Sequence, residues 1–219
     1  MRPKASILDP TYTFSVPAYQ TAAGTADIMS HIMECYFSNV QGYMQDRMAE
    51  GLLKTCIEFG VKAIAKPDDY EARANLMWAS SWAINNFIKL GKAVEWSVHP
   101  MEHQLSAYYD ITHGVGLAIL TPHWMEHVLN DNTVEKFKEF GVNVWNLSKD
   151  EDAYTIAHQA IQKTREYFVA MGIPTTLREV GIVDDRYFDV MAEKACAGLE
   201  AAFVPLTKED VKAIYQKAL

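Results

Sequence analysis

The 219 residues carry 20 lysines and arginines against 28 aspartates and glutamates, a formal net charge of −8 with a sequence pI near 5.3. A protein built to meet nucleic-acid phosphates or an anionic membrane surface carries a basic face, so both classes of partner are excluded. With 49% hydrophobic and 22% charged residues the composition is globular, and a chain of this length buries roughly 70% of its extended surface.

The first elements are short extended runs, Ala5 to Leu8 and Tyr12 to Val16, broken by Pro10 and Pro17. Ala5 to Leu8 is too short for the apolar region of a signal peptide. No run approaches the ~20 apolar residues of a membrane span. After Pro17 the spacing is helical. Between Tyr43 and Ala65, residues Met44, Met48, Leu52, Phe59 and Ala63 fall on one face, with Gly60 weakening the pattern near its end. Asp68-x-x-Glu71 after Pro67 predicts a capped helix that Gly91 closes, and Ser148-x-x-Glu151 predicts another. The second carries Ala157, Ile161, Thr164, Phe168 and Met171 on one stripe and stops at Gly172 and Pro174. Helical patterns also cover Asp131 to Trp145 and Asp184 to Ala195, and Thr207-x-x-Asp210 caps a last helix running to Ala218. The expectation is one all-α domain of roughly eight to nine helices over residues 18–219, behind an extended leader over residues 1–17. An isolated strand leaves its backbone groups unpaired, so residues 4–16 read as the edge of something else.

Cys35, Cys56 and Cys196 are an odd set with no C-x-x-C pair, which argues against a disulfide framework or a zinc ribbon and for a reducing cytoplasm. Of the seven histidines, four fall between His99 and His123. Asp27-x-x-x-His31, His99-x-x-x-His103 and His123-x-x-x-His127 each put two donors one helical turn apart, where both reach one cation. Spacing alone does not choose among the three pairs. Asp27, His31 and the run from His99 to His113 together form a donor set suited to a divalent first-row metal. Gly114-Val115-Gly116 starts like a dinucleotide fingerprint, but position 119 is Ile and no strand precedes it, so a helix N-terminal turn is the better reading. The sequence contains no H-E-x-x-H, no Glu-x-x-His, no adjacent His-Asp pair and no G-x-S-x-G. Metalloprotease, di-iron, His-Asp phosphohydrolase and serine-hydrolase readings therefore have no entry point. The tryptophans, Trp78, Trp82 and Trp96 among them, read as core, with some available to wall a pocket.

The segment from Pro17 through Asp27 to His31, then His99-Pro-Met-Glu-His103 and Thr112-His113-Gly114, resembles the iron-containing alcohol dehydrogenases, in particular the NAD(P)H-dependent butanol dehydrogenase branch. The resemblance covers essentially the whole chain, with the T-A-x-G-x-x-D-x-x-x-H and H-x3-H-x9-H boxes in order. It implies a helical domain of the dehydroquinate synthase-like type, with Asp27, His31, His99 and His113 as ligands of Fe²⁺, or of Zn²⁺. It places His103 beside the reacting groups, in proton transfer or positioning, and gives His123 and His127 no ligand role. Pro100, where other branches carry Gly, is expected to start or kink the helix after His99. Family members hold NAD or NADP on an N-terminal α/β half with a Gly-rich turn, so the resemblance implies that this chain is the metal-binding half, inactive alone, with residues 4–16 as that half's last extended segment. It further implies a small alcohol or aldehyde substrate and a homo-oligomer. A glycerol dehydrogenase, a dehydroquinate synthase-like lyase and a non-catalytic metal-binding fragment stay open as alternatives.

Overall fold

The computed structural model describes residues 4–94 and 96–219. Among these residues there are nine α-helices and no strand. The first five are α1 (Ala18–Tyr36), α2 (Tyr43–Ala65), α3 (Tyr70–Ile84), α4 (Val98–Tyr109) and α5 (His113–Val128). They are followed by α6 (Val134–Trp145), α7 (Ala153–Ala170), α8 (Phe188–Ala195) and α9 (Lys208–Ala218).

Helix α5 is the central post. Every residue from Gly114 to Met125 is buried, which requires a helix that is apolar all round and covered on all sides. Its cover is α1, α4, α7 and α9, while α1 also packs on α2 and α3. The approach of α5 to α1 depends on a missing side chain. A Cβ on Gly114 would lie 2.0 Å from the carbonyl oxygen of Ala23, so only glycine lets the first turn of α5 lie on the backbone of α1. Gly60 has the same office inside α2, because a Cβ there would meet the Tyr167 hydroxyl at 2.3 Å and Thr25 Cγ2 at 2.8 Å. Helix α2 runs unbroken through it to Ala65.

Several predicted boundaries shift. The leader has no extended pair: Pro10–Thr13 is a 3-10 turn whose start Asp9 caps by accepting from the Thr11 N–H at 3.0 Å. A local turn satisfies groups that a lone strand would leave open; residues 1–3 of the predicted leader lie outside the described residues. Asp69, not Asp68, caps α3 by accepting from Ala72 N–H, and α3 ends at Ile84, short of Gly91. Asp152, not Ser148, caps α7 by accepting from Thr155 N–H. Pro122 sits within α5. The capping box of Thr207 and Asp210, the buried stripe on α7 and the left-handed Gly172 that follows it are as predicted. Met44 and Trp78 were expected inside but are exposed.

Candidate metal centre

Asp27 lies in the middle of α1 and His31 one turn further on. His99 is in the first turn of α4, where Pro100 costs no hydrogen bond because first-turn N–H groups have no helical partner. His113 is the first residue of α5. The three helix segments meet at one atom. Asp27 Oδ1 lies 3.5 Å from His31 Nε2, 3.5 Å from His99 Nε2 and 3.4 Å from His113 Nε2. Donor atoms of Asp27, His99 and His113 lie within 4.8 Å of one another, a spacing that could hold a metal ion.

Behind this cluster stand two carboxyl groups that the sequence pattern did not single out. Glu34, buried on α1, accepts from both His99 Nδ1 at 2.6 Å and the His99 backbone N–H at 2.9 Å. Glu102, fully buried on α4, meets His113 Nδ1 through Oε2 and accepts from the Ser106 hydroxyl at 2.7 Å through Oε1. A Cβ on Gly116 would lie 2.7 Å from Glu102 Oε1, so the second glycine of Gly114-Val115-Gly116 makes room for a carboxylate, not for a pyrophosphate. Glu34 lies seven residues from Asp27 and Glu102 three from His99, helical spacings that could have pointed to them.

The charges respond to this crowding. Burial opposes ionising Asp27, but the close His113 and His99 rings outweigh it and hold the carboxyl below its usual range. His113, with Asp27 on one nitrogen and Glu102 on the other, is pushed up to about 10. Burial works against a charged His99, yet Asp27 and Glu34 carry it upward. His31, desolvated and beside His99, drops to about 4. Together these shifts describe an anionic pocket that seeks a positive charge at its centre. Asp27 Oδ1 and His99 Nε2 are buried and, among the described residues, lack any hydrogen-bond partner, an arrangement that is costly without a cation between them. One carboxylate and three imidazoles, two of them with Nδ1 engaged so that Nε2 is free, suit a divalent first-row metal.

Trp96 walls the site, its ring centroid 4.7 Å from that of His31 and 4.6 Å from that of His99. His103 is exposed at the rim, stacked on His113 at 5.3 Å, and burial and the neighbouring His113 push its pKa down. His123 and His127 lie ten and fourteen residues beyond His113 on α5, roughly 15 and 21 Å along the helix. His127 bonds Asp210 on α9 at 3.1 Å, and His123 is buried by itself. Of the three pairs that spacing offered, the fold thus gathers Asp27 and His31 with one member of the second pair.

The chain is thus an all-α domain in which Asp27 and His31 of α1, His99 of α4 and His113 of α5 converge on one point. This chain belongs to the Fe-containing alcohol dehydrogenase family: residues 21–219 match the C-terminal part of that family's model. It is 61% identical over its whole length to NADH-dependent butanol dehydrogenase B of Clostridium acetobutylicum, covering 57% of that protein. It is 38% identical over 83% of its length to the NADPH-dependent aldehyde reductase YqhD of Escherichia coli, covering 47% of it. The crystal structure of NADH-dependent butanol dehydrogenase A from Thermotoga maritima superposes with a TM-score of 0.90 at 33% identity, covering 99% of this chain and 56% of that one. The chain spans about half the length of the curated relatives it matches.

Proposed function

We propose that the chain is the metal-holding and substrate-facing part of an NAD(P)-linked alcohol dehydrogenase or aldehyde reductase acting on small alcohols and aldehydes. The observation that carries this reading is the convergence of three imidazole Nε2 atoms within 3.5 Å of Asp27 Oδ1. In this reading Asp27, His31, His99 and His113 hold Fe²⁺, or Zn²⁺ in its place. When bound, the metal supplies Lewis-acid charge to a substrate oxygen, and the nicotinamide gives or takes the hydride. The chain's own residues do the rest. Trp96 and the buried flanks of α1 and α4 keep water from the donor side. His103, a neutral base at the rim, passes the proton between substrate and solvent. The nucleotide is held on residues outside this chain, in an N-terminal α/β half, with the leader joining the two. The three free thiols fit a reducing cytoplasm.

The test is NAD(P)H-dependent butyraldehyde reduction by the metal-loaded chain, assayed alone and mixed with a separately expressed N-terminal half of the Clostridium acetobutylicum butanol dehydrogenase B. Turnover that appears on mixing and is lost in His113→Ala supports the reading. A metal-loaded chain that gives no turnover in either arrangement contradicts it.

A further inference from the structure

Each of the two best-held histidines is gripped from behind by a glutamate of the preceding segment of the site, and the grip has a direction. Glu34, on the same helix as Asp27 and two turns beyond it, reaches to His99 of α4. Glu102, on the same helix as His99 and one turn beyond it, reaches to His113 of α5. Helix α1 thus aims the histidine of α4, and α4 aims that of α5.

We infer that Glu34 and Glu102 are positioning residues that fix His99 and His113 as Nδ1–H tautomers with Nε2 turned to Asp27, and thereby set the affinity of the metal site; this rests on the metal reading above. The chemistry of imidazole gives the reason. A neutral ring has one donor nitrogen and one acceptor nitrogen, and a carboxylate can only accept. An acceptor at Nδ1 therefore places the proton there and the lone pair at Nε2, which is where a cation needs it. Neither glutamate is free to do otherwise. Glu34 Oε1 is further pinned by the His99 backbone N–H, and Glu102 Oε1 by the Ser106 hydroxyl, while Gly116 supplies the space that the Glu102 carboxyl fills. His31 is the contrast that gives the inference content: among the described residues its buried Nδ1 has no hydrogen-bond partner, and the rings of Trp96 and His99 pack against it. The affinity of the site is accordingly sensitive to Glu34 and Glu102, and His31 has no equivalent residue to lose.

The experiment titrates the chain with Zn²⁺ alone against a competing chelator and records ¹H–¹⁵N correlations of the histidine rings in the Zn²⁺-loaded state, for the unmodified chain, Glu34→Gln and Glu102→Gln. Each substitution is expected to weaken Zn²⁺ binding by roughly 10–100-fold and to move or abolish the Nδ1–H signal of one histidine, a readout that a purely structural role would leave in place. Helical circular dichroism checks that each variant is folded. If Glu102→Gln is not, Ser106→Ala, which takes one bond from Glu102 and touches no ligand, is expected to weaken binding and shift the same signal. Zn²⁺ bound by the unmodified chain with equal affinity and unchanged ring signals in the folded variants would overturn the inference alone. Failure of the unmodified chain to bind Zn²⁺ would overturn the metal reading and the inference with it.

Discussion

Gly114→Ala adds one methyl group where α5 lies on α1. That methyl would sit 2.0 Å from the Ala23 carbonyl oxygen, 2.6 Å from its carbon and 3.0 Å from its Cα. The obstacle is backbone in the interior of a helix and cannot rotate aside. Since atoms in contact rest at roughly 3.5 Å, α5 must retreat by more than about 1 Å, taking His113 away from Asp27. Overpacking of this kind costs ~1–3 kcal/mol or more, whereas alanine in place of glycine on a helix gains at most ~1 kcal/mol. Gly51→Ala isolates the second effect, because Gly51 is exposed on α2 with nothing within 4 Å of its would-be Cβ. A chain of this size moves by ~2–4 °C in Tm per kcal/mol. Scanning calorimetry is therefore expected to show Gly51→Ala melting a few degrees above the unmodified chain and Gly114→Ala several degrees below it, with weaker Zn²⁺ binding only in the latter. A Gly114→Ala chain as stable as Gly51→Ala, with unchanged Zn²⁺ affinity, would refute the steric account of how α5 presents His113.

Replacing both His123 and His127 with Gln is expected to leave metal stoichiometry unchanged, read by elemental analysis; a loss matching that of His31→Ala would mean the wrong histidines were chosen. In the metal-stripped chain, His113 with its pKa raised to about 10 contributes stability that is whole below the ordinary histidine value of ~6.5 and is lost as pH rises toward 10. His31, lowered to about 4, acts in the opposite sense and removes stability as pH falls from ~6.5 toward 4. Urea unfolding across pH is thus expected to show a maximum near 6.5 whose alkaline limb flattens when Zn²⁺ is added, and an alkaline limb already flat without metal would count against the His113 assignment. Lys92 is buried against Asp46, which Lys136 also meets at 2.8 Å. Lys92→Met leaves Asp46 undercompensated and is expected to cost ~3 kcal/mol in urea unfolding; a loss below ~1 kcal/mol would show that Lys136 suffices.

The helices were readable because their apolar residues keep the 3.6-residue period and because Thr207 with Asp210, and Gly172, mark ends by local chemistry. Where two neighbouring residues can serve as cap, as with Asp68 and Asp69, the sequence cannot say which one the chain geometry selects. The leader misled because alternating apolar residues suggest a strand wherever they occur, while Asp9 and Pro10 favour a turn that needs no partner. Asp27, His31, His99 and His113 were singled out through resemblance, since spacing offered three equivalent pairs and the choice depends on α1, α4 and α5 meeting. Glu34 and Glu102 stayed hidden because a glutamate on a helix is ordinarily a solvated residue; only the packed structure shows them inside. Trp78, taken for core by its spacing, lies on an exposed side of α3, whereas Trp96 lies against two of the histidines.

In the proposed function one cation is held by Asp27 and the three histidines around it. Elemental analysis of the chain after anaerobic loading with Fe²⁺ and desalting tests this most directly, with a His99→Ala/His113→Ala chain treated in parallel. One equivalent of iron is expected in the unmodified chain and almost none in the double variant. An unmodified chain that retains less than a tenth of an equivalent, or a double variant that stays fully loaded, would contradict it.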